Sequence, residues 1–318
     1  MSSETTIAVE PRRKPDSLSV SALRTLLYYD LFRYPLTAEE ILYHNLQTDS
    51  SIKELKESLH KLCDDELIYR FEEFYSLRDD PQLVERRKKG NKMAAAMLKT
   101  AARKSKFISR FPYVRAVCVS GSLSKNYFDE STDIDFFIIT QPNRLWLCRS
   151  LLILYKKIFL LNSKKYFCVN YFIDSENLEI PDKNIFTATE IITLIPLYNK
   201  ELYHQFFLRN NWVKKIFPNS LPLKNSHPDQ PGNNSLKRIT EKLFNTVAGE
   251  WLDRYFYRIT VKQWRKKFPD FSDEEFEVNM RSRKDVSKHH PQGFQFRVLQ
   301  AFEDNCRGFE EKHQVPLQ

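Results

Sequence analysis

The sequence predicts an α/β core with a mixed sheet, set between two largely helical regions. Three observations carry this reading. Capping signals and helical apolar spacing fill residues 18–80; strand-like runs at 114–119, 136–139 and 164–174 surround one long apolar helix; and helical patterns return after Pro181. With 318 residues the chain is long enough for two or three units of ~100–200 residues each. A hydrophobic content of 42%, with 24 Phe and 15 Tyr, supplies their cores and excludes a disordered chain.

Residues 1–17 are polar, carry Pro11 and Pro15, and are expected to form a mobile tail. They contain no apolar signal-peptide run, and no 18-residue apolar stretch occurs later, so neither secretion nor a membrane span is expected. The five cysteines are scattered without a C-x-x-C pair, which reads as reduced thiols rather than a disulfide frame or zinc site. A cytoplasmic protein is expected.

From residue 18 the pattern becomes helical. Leu23, Leu26, Leu27 and Leu31 share one face, and Pro35 closes the segment. Thr37–Glu40 and Ser51–Glu54 each read as a capping box opening a further helix. ELIYRFEEFYSLR then reads as two short strands turning at Glu72 and Glu73. Three helices and a hairpin over 18–80 is the order of a winged helix-turn-helix. The third helix, which would read DNA, carries three lysines against five acidic residues between 51 and 66, so DNA binding is not expected of it.

Residues 81–113 follow as a basic connecting helix with an Ala-rich centre. Between 86 and 110 stand ten Lys or Arg and no Asp or Glu, which exceeds the whole chain's +9 excess. Such a stretch either gathers phosphate-bearing partners or is a solvated helix face. The core is placed at 114–180: strand, polar loop, strand, a buried crossover helix at 145–161, and a further strand at 164–174. Residues 181–318 are expected to form a helical C-terminal domain with helices at 187–198, 200–215, 235–267 and 292–312, interrupted by a proline-bearing loop at 217–234. Trp251, Leu252, Tyr255 and Phe256 are expected in the core.

The chemistry concentrates in VRAVCVSGSLSKNYFDESTDIDFFIIT, residues 114–140. Asp133 and Asp135, two apart on a strand, share a face while Ile134 points the other way. Two convergent carboxylates suit Mg²⁺ or Mn²⁺, hard cations that complete their shell with substrate phosphates. Gly121 lets the backbone approach a phosphate, the Ser122 hydroxyl can hold its oxygens, and Lys125 can add a cation. The alternative is an ordinary turn whose Asp and Ser side chains only cap it.

SGS, ten residues and then DIDFF resembles the signature of the nucleotidyltransferase superfamily with the DNA polymerase beta-like catalytic fold. The resemblance covers about residues 114–174. It implies that Gly121 and Ser122 bind phosphate, that Asp133 and Asp135 hold the metal, and that an NTP such as ATP is the substrate. With the winged-helix order before the core, it is similar to bacterial nucleotidyltransferase-domain proteins. It implies transfer of an NMP, with pyrophosphate release, to an acceptor that could be RNA, protein or a small molecule.

One departure stands out. The superfamily usually places a third carboxylate on a later strand, and the matching position here is Asn170, which cannot act as a base. Asp174 is on the same face but four residues, ~13 Å, farther along. Glu190, at the start of a later helix, is the other candidate for the missing charge. The rival expectation is therefore a catalytically degenerate nucleotide-binding sensor or scaffold whose winged helix contacts a partner or DNA. His289 and His290 could touch a phosphate or metal, or simply form a loop before Pro291.

Overall fold

A computed structural model of the chain describes residues 15–46, 50–222 and 234–317. The expected mobile tail lies, up to residue 14, outside the described residues, as do 223–233 of the expected proline-bearing loop. The chain forms two compact units. One comprises the described residues up to Val84 with 217–219 and those from Ala301 on; the other comprises 85–216 and the described part of 220–300.

In the first unit, α1 (Ser17–Asp30) begins where the Asp16 carboxylate accepts from the Ser19 N–H at 2.7 Å. It buries Ala22, Leu23, Leu26 and Leu27. After β1 (Leu36–Thr37) come α2 (Ala38–Tyr43) and α3 (Ile52–Asp64), and both expected capping boxes form. The hairpin of β2 (Tyr69–Phe71) and β3 (Phe74–Ser76) turns where Glu72 takes a positive φ of 54°. The three strands make an antiparallel sheet in the order β1-β3-β2.

In chain order there follow α4 (Gln82–Ile108), β4 (Val114–Ser120), the single turn α5 (Gly121–Ser124), β5 (Asp135–Thr140), α6 (Leu145–Phe159) and β6 (Cys168–Asp174). Then come α7 (Ile185–Thr193), β7 (Ile195–Tyr198), α8 (Lys200–Arg209), a 3₁₀ turn (Asn211–Lys215), α9 (Ser235–Phe244) and α10 (Val247–Lys267). The chain closes with α11 (Asp273–Asn279), β8 (Val286–Lys288) and α12 (Phe294–His313).

The second unit is built on a five-stranded mixed sheet in the order β7-β4-β5-β6-β8. β5 and β6 run parallel, joined by the crossover helix α6, and the other pairs are antiparallel. Its core gathers Val117, Val119, Phe136, Ile138, Trp146, Leu152 and Phe172, all essentially inaccessible.

The region expected to be wholly helical departs from expectation in three ways. The helix expected over 187–198 stops at Thr193, and β7 continues as an edge strand pairing Val119 with Ile195 and Cys118 with Pro196. An edge is where a proline, lacking an N–H, is tolerated in a sheet. At the opposite edge β8 pairs with β6, so residues beyond 181 supply both edges of the sheet. The single helix expected over 235–267 is two, broken at 245–246.

Trp251 and Tyr255 are not core. They are 58% and 46% exposed and stack on each other at 5.4 Å, while Leu252 and Phe256 pack inward. One residue along a helix rotates a side chain by about 100°, enough to separate the two faces. Among the described residues no helix is long and apolar enough to cross a membrane, and all five cysteines are free.

A buried charge pair holds β8 and α11 to the loop before α7. Arg281 donates to both oxygens of Asp182 at 2.9 and 2.8 Å and to Glu277 at 2.9 Å, and the Lys288 ammonium stands 3.7 Å from Asp182. Asp182→Asn leaves two buried cations undercompensated and is expected to destabilise the fold by about 3 kcal/mol. Urea unfolding checks this; an unchanged midpoint would show the pair to be dispensable.

Candidate functional site at the β4–β5 strand ends

Strands β4 and β5 end together. Ser120 pairs with Asp135, so the chain leaves β4 at Gly121 opposite the point where it re-enters the sheet. Gly121 has φ +67°, and a Cβ there would sit 2.5 Å from Asp135 Oδ2. The position therefore needs glycine twice over, for the left-handed backbone and for the carboxylate packed against it. The turn is anchored by fully buried Leu123 and by the Ser124 hydroxyl, which donates to the Gly121 carbonyl at 2.8 Å.

Asp133 lies just before β5, and both aspartates border one cavity of about 1020 Å³ while Ile134 is fully buried on the other side. The turn-capping role falls to Asp129, which accepts from the Ser131 N–H and hydroxyl at 2.9 and 2.6 Å and whose N–H meets Thr132 at 2.9 Å. Asp133 and Asp135 are left for the cavity.

Asn170 is brought directly to the aspartates. Its amide donates to Asp135 Oδ1 at 3.1 Å. It is the extra residue of a β-bulge, since Phe136 pairs with Val169 but Phe137 pairs with Tyr171. Bulges re-aim side chains in this way. Glu190, six residues into α7, also borders the cavity. Lys125 donates to Glu190 at 2.7 Å and to the Gly121 carbonyl at 3.1 Å, so this lysine braces the turn. Ser122 lines the same cavity.

Asp174 is not brought there. It pairs with Thr140, at the opposite end of β5 from Asp135. Its carboxylate is buried and accepts from the N–H groups of Glu176 and Asn177 and from the Asn177 amide at 2.9 to 3.0 Å. The bulge in β6 lies upstream of it, at Asn170, and does not shorten that separation.

Burial pushes the Asp135 carboxyl up to about 6; a hydrogen bond from Cys168 opposes the rise, and the neighbouring Asp133 and Glu190 add to it. This is the electrostatic state of a pair that a cation would relieve. Among the described residues no cluster of three His, Cys, Asp or Glu forms a metal cage. A carboxylate pair nevertheless fits Mg²⁺ or Mn²⁺, which usually take one or two carboxylates and complete the octahedron with water and phosphate.

Cys168 and Arg149 line the cavity without having been singled out in the sequence, and His289 and His290, left open there between a ligand role and a loop, line it too. Cys168, expected to be an ordinary strand thiol, hydrogen-bonds Asp135. Burial lowers His289 to about 3 and His290 to about 4, so both are neutral near pH 7, and the His289 N–H donates to the Asn170 carbonyl at 2.9 Å. No α4 residue borders the cavity; its cations come from elsewhere, among them Arg149 and Lys156 of α6 and Lys267 of α10. The signal for Arg149 was present as the only charge in the otherwise largely apolar first eleven residues, 145–155, of the crossover helix.

Gly121→Ala should cost about 2 kcal/mol from the left-handed backbone alone and should displace the Asp135 carboxylate. Urea unfolding and Mn²⁺ titration read the two effects; unchanged Mn²⁺ affinity would separate Gly121 from the site. Asp135 also predicts a pH dependence in EDTA. Its folded value lies above the ordinary 3.8, so ionisation destabilises the fold as pH rises through about 6. Asp135→Asn should therefore unfold later than wild type at pH 7.5, by about 1–3 kcal/mol, with the gain fading as pH falls toward 4.

No protein-family model, curated protein or solved structure matches the chain.

Proposed function

We propose that the chain is a metal-dependent nucleotidyltransferase, moving an NMP from an NTP such as ATP to an acceptor with release of pyrophosphate. The observation that carries this reading is the convergence of Gly121, Asp133, Asp135, Asn170 and Glu190 on one strand end facing a large cavity. Asp133 and Asp135 would hold Mg²⁺ or Mn²⁺, which supplies neutralisation of phosphate charge and orients the oxygens it binds. The Gly121 turn and the Ser122 hydroxyl would receive the β- and γ-phosphates.

In the reaction an acceptor oxygen bonds to the α-phosphorus, the bond to the bridging oxygen breaks, and pyrophosphate carries away that electron pair. The acceptor's proton passes to a carboxylate. Glu190, on the lining of the same cavity, would take that proton in place of Asn170, and Lys125 holds its orientation. RNA, a protein or a small molecule could be the acceptor. Residues 18–80, in winged-helix order with an acidic-leaning third helix, fit a protein-contacting module better than a DNA reader.

A second reading has specific support. Asn170 already occupies one oxygen of Asp135, and Lys125 already neutralises Glu190, which suits a chain that binds NTP without turning it over. One experiment separates the two: incubation with each α-³²P NTP and Mg²⁺ or Mn²⁺ in cell extract, beside an Asp133→Asn/Asp135→Asn variant. Labelled acceptor and pyrophosphate are expected from wild type, with a loss of at least 100-fold in the variant. Nucleotide binding without transfer would establish the sensor, and aspartate-independent transfer would remove the site from the reaction.

A further inference from the structure

The cavity that holds the aspartates is also lined by buried cations. On α6, Arg149 and Lys156 are seven residues apart, two helical turns, and both border the cavity while being only 9% and 8% exposed. Lys157, Lys164 and Lys267 stand around them at more exposed positions on the cavity lining. Neither Arg149 nor Lys156 has a carboxylate partner or a side-chain hydrogen bond among the described residues. The neighbours of Arg149 are ring faces, Trp264 at 4.7 Å and Trp146 at 5.7 Å.

The other charged residues of the lining are accounted for differently. Lys288 stands by Asp182, Glu190 takes Lys125, and Asp133 and Asp135 form the acidic pair. Buried cations are normally paired or coordinated, because desolvation of a lone charge is costly. Two such cations side by side also repel each other, and burial with the neighbouring positive charges lowers Lys156 from its ordinary value. Rings stabilise a guanidinium but carry no compensating charge. An anion entering from the cavity is the missing partner.

From this juxtaposition we infer a second ligand subsite, in which Arg149 and Lys156 form the floor and Lys157, Lys164 and Lys267 the rim of a pocket for a phosphate or polyphosphate group. Arg149 offers a planar fork that can bond two phosphate oxygens at once, and Lys156 offers a point charge beside it. The volume of about 1020 Å³ is at the top of the range for a single drug-sized ligand, so the cavity can hold an anionic group here in addition to a molecule at the aspartates. Phosphate retention by Arg149 and Lys156 does not depend on the nucleotidyl-transfer reading; only the source of the phosphate does.

The test uses the full chain in EDTA, with inorganic tripolyphosphate as the probe, read by calorimetry and by the unfolding temperature. Wild type should bind saturably and unfold later. Arg149→Gln and Lys156→Gln should each weaken binding at least tenfold, Lys156→Arg should largely restore it, and Asp133→Asn/Asp135→Asn should still bind. If Arg149→Gln fails to fold, Lys156→Gln and its arginine counterpart carry the comparison. No saturable binding, or equal affinity in the glutamine variants, would overturn the inference. Repeating the titration with saturating ATP and Mg²⁺ names the source. Persisting binding assigns the subsite to a phosphate of the acceptor, and competition assigns it to the triphosphate of the nucleotide. A chain that binds tripolyphosphate through Arg149 and Lys156 yet transfers no label keeps this subsite and loses only the catalytic reading.

Discussion

The close packing of the Gly121 backbone against the Asp135 carboxylate is the constraint on which the site depends. Because Ser120 pairs with Asp135, the end of β4 and the start of β5 are one place in space. A Cβ at 121 would stand 2.5 Å from Asp135 Oδ2 and displace the carboxylate, and φ +67° disfavours any other residue there, so both conditions select glycine. The remaining parts follow from that geometry. Lys125 reaches back to the Gly121 carbonyl and outward to Glu190, and Asn170 meets the far oxygen of Asp135. A loop, a helix and a neighbouring strand are thereby tied to two residues of one strand junction.

Charge explains why this junction is polarised. Burial and two nearby carboxylates raise Asp135. On the lining of the same cavity, burial lowers Arg149 to about 10 with no carboxylate to oppose it. The histidines between the strand edge and α10 are driven neutral, so they contribute hydrogen-bonding capacity and no charge.

The scaffold supplies stiffness where that polarity needs it. β5 is the middle strand of the five, paired on both sides, so the Asp135 backbone has little freedom to relax. β6, its parallel neighbour, yields locally through the bulge that directs Asn170 inward. The Asp182, Arg281 and Lys288 cluster fixes the opposite edge, close to the histidines. Residues of this edge lie between the helices expected over 235–267 and 292–312, in a stretch to which the sequence assigned no element.

Local chemistry was legible in the sequence wherever it is decided by residues a few positions apart. The two capping boxes, the hairpin turn and the existence of the crossover helix belong to this class, since period, cap and turn preferences act within one or two turns of chain, whereas the burial expected of that helix fails at Leu154, Ile158 and Phe159, each more than half exposed. Tertiary structure alone decided what depends on partners far along the chain. Ile195–Tyr198 is a strand because β4 offers an edge. Asn170 meets Asp135 because a bulge sits at 170, Asp174 does not because it pairs at the far end of β5, and Arg149 faces a cavity that residues of α10 and of 288–295 also line. Trp251 and Leu252 look alike in a hydropathy pattern, and only the packing of α10 placed one outward and the other inward. Burial and long-range pairing are properties of the assembled chain, so no local pattern could have specified them.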